Sequence, residues 1–285
     1  MVKSVERNYT FKDGKTLCLG RRTLVMGILN VTPDSFSDGG KWNNLENARY
    51  HMEQMIEAGA DIIDIGAEST RPGAHHLLPD EEMKRLKPFL EMLVPICPVP
   101  ISVDTFHGET ARMAAAMGVH ILNDIWGLQY EGDDGLMAKT AAEYGLPVII
   151  MHNRDNPDTS GDIIESITDF FRKSFEIAEK SGIDKNNLIL DPGIGFGKTM
   201  NQNMIVLKRL KELKKWDSKR YPILLGTSRK SFIGHALGLP VEERMEATGA
   251  TCVMGIISGA DIVRVHDVKP VSRMCRMTDA VLEAD

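Results

Sequence analysis

The 285-residue sequence predicts an α/β fold, a single (β/α)8 TIM barrel with an N-terminal β-hairpin, on three observations. Short β-branched runs alternate with longer segments of helical period, nearly every run ends in a polar residue, and no shift in composition marks a boundary. Strict strand-helix alternation implies a parallel sheet, because each crossover must return the chain to the same edge. Eight such units close into a barrel. A doubly wound open sheet is the competing topology, but no GxGxxG opens the first helix. The expected organisation is one domain over 1–285, with the hairpin in 1–20 and the barrel in 21–285.

The hairpin is read from Tyr9 to Leu19, where alternating apolar residues flank Asp13-Gly14, a pair suited to a tight turn with positive φ. The barrel strands are expected at Leu24 to Asn30, Ile62 to Ile65, Val99 to Asp104, His120 to Asp124, Val148 to His152, Leu188 to Asp191, Ile223 to Gly226 and Ile262 to His266. Between them, Leu45, Ala48, Met52, Met55 and Ile56 mark one apolar helical face. Ile163, Ile167, Phe170, Phe171 and Phe175 mark a second, and Met204, Leu207, Leu210 and Leu213 a third.

Composition narrows the function. A net charge of -6 speaks against an extended nucleic-acid surface and confines any basic role to a local pocket. No apolar run approaches the roughly 18 residues that span a bilayer. The polar amino terminus lacks the apolar stretch of a signal peptide, so a cytoplasmic setting without membrane contact is expected. Cys18, Cys97, Cys252 and Cys275 lie far apart and show no metal-ligand spacing, so reduced structural thiols are expected.

A buried parallel strand should be apolar throughout, yet these runs end in Asn30, Asp64, Asp104, Asn123 with Asp124, His152, Asp191, Thr227 and His266. In a barrel, polar groups at carboxyl strand ends belong to the catalytic mouth. For any one of them, capping the next helix is an equally good reading; the set as a whole points to a site. Two Gly/Pro-rich loops, 30–40 and 68–73, are long enough to act as covers. Within the first, Asp34 and Asp38 read either as solvated turn formers or, near Asn30, as hard oxygen ligands for Mg2+.

Asp191-Pro-Gly-Ile-Gly-Phe-Gly-Lys-Thr199 ends in GKT, but Pro192 stands where a phosphate loop needs its first glycine. A flexible turn that brings Asp191 and Phe196 to a flat ligand fits better. After the seventh strand, Ser228 is expected to cap a helix whose free N–H groups favour an anion, reinforced by Arg229 and Lys230. Arg264 and His266, two apart, share a face of the eighth strand and extend a phosphate or carboxylate site.

The chain resembles the dihydropteroate synthases from about residue 20 onward. The resemblance rests on 27–40, 65–73, Ser102-Val-Asp-Thr105, Asn123-Asp124, 191–196, 227–231 and Arg264-Val-His266, in the family's order. It implies condensation of 6-hydroxymethyl-7,8-dihydropterin diphosphate with 4-aminobenzoate, assisted by Mg2+ on Asn30 and Asp38, and competition by sulfonamides. Asp104, Lys230, Asn30 and Asp38 are then the catalytic residues, and Asp104, Asn123, Asp191 and Lys230 receive the pterin. Phe36, Thr70, Pro72, Phe196 and Ser231 receive the aminobenzoate; Asn30, Thr70, Arg71, Arg264 and His266 receive the diphosphate. The partners implied are these small molecules and a second copy of the chain, since 247–255 corresponds to a region near the family's homodimer interface. Tight packing of helix on barrel is the alternative explanation of those small residues. His75 and His76 read as solvated loop residues.

Three other functions compete. A methyltetrahydrofolate:corrinoid methyltransferase barrel shares the pterin pocket but has no diphosphate to hold. A Schiff-base aldolase would use Lys230 as nucleophile. A pterin-binding module without turnover would leave Asn30, Asp104 and Lys230 idle.

Overall fold

The computed structural model describes residues 6–31, 41–67, 77–216 and 219–284. The chain opens with an antiparallel hairpin, β1 (Arg7–Thr10) and β2 (Thr16–Leu19). Gly14 takes φ 87°, the left-handed conformation that Asp13-Gly14 foretold. The barrel strands begin with β3 (Leu24–Asn30), β4 (Ile62–Gly66), β5 (Ile101–Asp104), β6 (Ile121–Asp124), β7 (Val148–Met151) and β8 (Leu188–Asp191). A small ribbon, β9 (Lys215–Trp216) and β10 (Lys219–Arg220), precedes β11 (Leu224–Leu225) and β12 (Ile262–Val265). Parallel ladders run in the order β11-β12-β3-β4-β5-β6-β7-β8.

A single bridge, Leu190 to Ile223, closes the ring. At this weak seam Asp261 acts as a pin. Its carboxylate accepts from the Ile223 N–H at 2.9 Å and from the buried Lys214 ammonium at 3.2 Å.

The helices are α1 (Lys41–Glu57), α2 (Pro79–Leu93), α3 (Gly108–Ala116), α4 (Leu136–Tyr144), α5 (Ile163–Ser181), α6 (Met200–Lys208), α7 (Ser231–Leu237), α8 (Met245–Ile257) and α9 (Val268–Glu283). The expected stripes on α1 and α5 are buried at Ala48, Met52, Met55, Ile163, Ile167, Phe171 and Phe175. The third stripe needs correction. Helix α6 ends at Lys208 and gives way to a 3-10 turn; Leu207, Leu210 and Leu213 are buried as expected, but Val206 faces inward in place of Met204, which is exposed. In α8, a Cβ on Gly249 would meet Met274 Sδ at 2.3 Å, and one on Gly255 would meet Leu225 Cδ2 at 2.1 Å. Close packing of the helix on the barrel and on α9 therefore accounts for these glycines. All four cysteines are free thiols and only Cys18 is exposed.

Side chains alternate along each strand, and the alternation sorts the core into two apolar layers. Val25, Leu29, Ile63, Ile65, Val103, Leu122, Ile150, Leu190 and Val263 join the cluster beneath the helices. Leu24, Met26, Ile62, Ile121, Ile149, Ile189, Leu224 and Ile262 fill the barrel's lower interior, where Tyr9, Leu17 and Leu19 of the hairpin cover them. The hairpin thus plugs the amino-terminal end. His120 latches it: Nδ1 accepts from the Ile101 N–H at 2.9 Å and Nε2 meets Asp13 Oδ2 at 3.0 Å.

Candidate active site

Two residues beyond each lower-layer side chain, the same strand face reaches the carboxyl mouth. Ile62 leads to Asp64, Ile121 to Asn123, Ile189 to Asp191, and Ile262 to Arg264 and then His266. This phase decides which polar strand ends face the mouth. Asp104 and Asn123 are register partners, as are Asn30 and Gly66, and Gly66 and Asp104. Out of phase, Asp124 turns to the loop and accepts from the Trp126 and Leu128 N–H groups at 2.8 and 2.6 Å. Thr227 meets Thr251 and Cys252 of α8, and His152 meets Lys198. These three take structural places.

Four of the in-phase residues form one connected network. Asp64, fully buried, accepts through Oδ2 from Asn123 Nδ2 at 3.2 Å and from Arg264 Nε at 2.6 Å. Arg264 Nη2 donates to Asp104 Oδ2 at 2.6 Å. Burial opposes the charge of Arg264, but Asp64 and Asp104 outweigh it and hold the guanidinium above its ordinary range. Arg264 is therefore a bridge between two acids. Asp64 was visible as a polar strand end but carried no expected role; its place at the hub depends on three strands and no local motif marks it.

On the opposite lip, Asp191 is buried and its carboxyl is pushed up by desolvation, with Lys230 pulling the other way. Lys230 Nζ donates to Ile194 O and lies 4.5 Å from the Phe196 ring centroid. A Cβ on Gly226 would lie 3.9 Å from that nitrogen and 4.0 Å from Arg264 Cβ, which sets the ammonium inside the mouth. Burial brings Lys230 down to about 8, against the opposing pull of Asp191.

Beside these polar groups is an apolar cluster that sequence reading missed. Phe106, Ile125 and Met151 cluster with Trp126, Tyr130 and Phe196, all at or just past the carboxyl ends of β5 to β8. Each looked like an ordinary core residue; only Phe196 was singled out, by its glycine-rich loop.

The anion end differs in detail from expectation. Ser228 does not cap α7; Lys230 occupies that position, with extended backbone and no side-chain cap bond. Ser228 Oγ instead lies 2.9 Å from His266 Nδ1 and accepts from the His266 N–H at 3.2 Å. Ser228 thus fixes the orientation of the His266 ring. Arg229, at φ 55°, is turned away from the mouth and forms a two-point pair with Asp267 at 2.9 and 2.7 Å. It braces the loop and does not reinforce the anion site. Ser231 is exposed at the first position of α7. Phe36, Asp38, Thr70, Arg71 and Pro72 lie outside the described residues, as do Asp34, His75 and His76. Asn30 is at the lip, its Oδ1 3.8 Å from where a Cβ on Gly66 would stand; Asp104 Oδ2 is 3.7 Å from the same point.

A barrel mouth that gathers buried acids, an amide and an aromatic cluster has the chemistry of a site for a flat, polar-edged ligand. The pterin-binding enzyme family matches residues 26–266. Dihydropteroate synthase of Bacillus subtilis is 51% identical over 92% of this chain and 89% of its own. A Clostridium difficile dihydropteroate synthase solved in the presence of pteroic acid superposes with TM-score 0.88 at 50% identity, over 93% of this chain and 99% of its own. The Xanthomonas albilineans enzyme with 4-aminobenzoic acid gives TM-score 0.89 at 37% identity, over 99% and 100%. The chain belongs to the dihydropteroate synthase family of pterin-binding enzymes, which are transferases.

Proposed function

We propose that the chain condenses 6-hydroxymethyl-7,8-dihydropterin diphosphate with 4-aminobenzoate, giving 7,8-dihydropteroate and diphosphate. The observation that carries this reading is the convergence of Asn123, Asp104, Asp191 and Lys230 on one mouth, beside the cluster of Ile125, Met151 and Phe196. The pterin lies against both. Asp191 and Asn123 take its guanidine-like edge and Lys230 donates to its acceptor side; each buried polar group left unpaired costs roughly 1–3 kcal/mol, which rejects rings lacking that edge.

The methylene C–O bond breaks with its electron pair on diphosphate, which His266, Arg264, Asn30, Thr70 and Arg71 receive. Asp104 stabilises the methylene cation. The aniline nitrogen then forms the C–N bond and releases a proton to solvent. Phe36, Phe196, Thr70 and Pro72 enclose the aminobenzoate, with its carboxylate at Ser231, and sulfonamides compete there as mimics. The amide oxygen of Asn30, on the lip beside the Asp104 carboxylate, is a hard donor suited to Mg2+ together with Asp38. Bound Mg2+ would neutralise diphosphate charge.

A homodimer is part of this reading, supported by Met254 and Ile257 of α8 and Met277 and Val281 of α9, all at least half exposed. Light scattering checks it. A cytoplasmic setting is proposed with it; among the described residues no helix is long and apolar enough to cross a membrane. The deciding experiment is diphosphate release from both substrates, with and without Mg2+ and 4-aminobenzoate. Release that ignores 4-aminobenzoate would refute the condensation.

A further inference from the structure

The GKT ending that imitates a phosphate loop has a different use. Lys198 is 7% exposed; burial pushes its pKa well below the usual lysine range while Asp191 pulls the other way, and acceptors surround its nitrogen. It donates to Gly193 O at 2.8 Å and to Phe196 O at 3.1 Å, and it lies against His152, 2.7 Å from Nδ1 and 3.5 Å from the carbonyl oxygen. The first two lie within the loop that carries Asp191 and Phe196, and His152 is the residue that follows β7. His152 N–H in turn donates to Asp191 O at 3.0 Å, and Gly193 N–H donates to Asp191 Oδ1 at 2.7 Å.

The loop's glycines are set by the same contacts. Gly193 has φ 66°, and a Cβ there would strike His152 O at 2.0 Å. Gly195 has φ 86°, and a Cβ there would press Lys230 Cδ at 2.9 Å. The turn is thus braced from both sides, by Lys198 through two carbonyls and by Lys230 through Ile194 O, and is not the flexible segment its glycines suggested.

We infer that Lys198 is a positioning residue for the pterin end of the site: it fixes the backbone of 193–196 and so aims the Asp191 carboxylate and the Phe196 ring. The inference rests on the pterin reading above. It makes no contact with the diphosphate end, where Ser228 orients His266 on other elements.

The split between the two ends supplies the test. Affinities for pteroic acid and for inorganic diphosphate are measured by calorimetry on the full chain, for wild type, Lys198→Met and Lys198→Arg. Lys198→Met is expected to weaken pteroic acid about tenfold or more and to leave diphosphate within about twofold, since the lost contacts are hydrogen bonds to one loop. Lys198→Arg, which keeps N–H donors, is expected to recover at least a third of the lost pteroic acid affinity. Should Lys198→Met fail to fold, Lys198→Gln is held to the same thresholds. Unchanged pteroic acid binding, equal loss of both ligands, or no recovery with arginine overturns the inference alone. Wild type that binds no pteroic acid overturns the pterin reading and this inference with it.

Discussion

The two ends of the barrel use one strand geometry for opposite purposes. At the amino-terminal end the inward residues are aliphatic and the hairpin seals them with Tyr9, Leu17 and Leu19. At the carboxyl end the next inward residues are Asp64, Asp104, Asn123 and Arg264, joined by a cation bridge, with Asp191 on the opposite lip. A buried histidine stands near each end: His120 under the hairpin, its Nδ1 accepting from the Ile101 N–H, and His152 under the Asp191 loop, its Nδ1 against Lys198 Nζ. The lower end contributes burial, and the upper end holds buried charge in a fixed pattern that water would otherwise disperse. Sealing one mouth is what permits the other to be polar, because the interior is then held by contacts that the site does not share.

Four substitutions or conditions would break or sharpen that contrast. The largest effect is expected from Asp191→Ala, which should weaken pteroic acid on the order of 100-fold, from the loss of charge-assisted hydrogen bonds, with little change in thermal stability. Equal affinity of mutant and wild type in calorimetry would remove Asp191 from the site.

Arg264→Ala should blur the contrast, since it leaves Asp64 and Asp104 buried without their shared cation. Urea unfolding is expected to show a loss of roughly 3 kcal/mol, and diphosphate affinity should fall as well. Unaltered stability would mean that the bridge is unimportant in the resting enzyme.

Leu19→Ala, at a fully buried position of the plug, should cost about 2–4 kcal/mol while kcat per folded molecule stays at the wild-type value. A matching fall in kcat would show that the lower end feeds into the chemistry.

The smallest effect concerns pH. Burial lowers the His120 pKa in the folded protein, with the Asp13 contact opposing it, so the unfolded chain binds a proton first as pH falls. Stability should therefore be constant above about pH 6.5, the unfolded histidine value, and decline below it. Burial takes His152 down to about 2, which adds a decline of the same sign. Unfolding curves between pH 5 and 8 should be flatter for His120→Gln than for wild type, but not flat; an unchanged slope would exclude the latch from the response.

The amino-acid sequence by itself determined the strand-helix alternation, the Asp13-Gly14 hairpin and the location of polar residues at strand ends. These depend on period, turn chemistry and the rarity of polar groups in buried strands, all local properties. Motif resemblance also carried the family. Tertiary structure alone decided which polar strand ends face the mouth. Strands covered on both sides are apolar at odd and even positions alike, so Asp104 and Asn123 look no different in sequence from Asp124 and His152. Only the phase imposed by barrel closure and by the helices outside separates them. The same holds for Ser228, Arg229, Lys198 and Asp64, whose partners lie on other strands and helices and are brought within hydrogen-bond reach only when the ring closes.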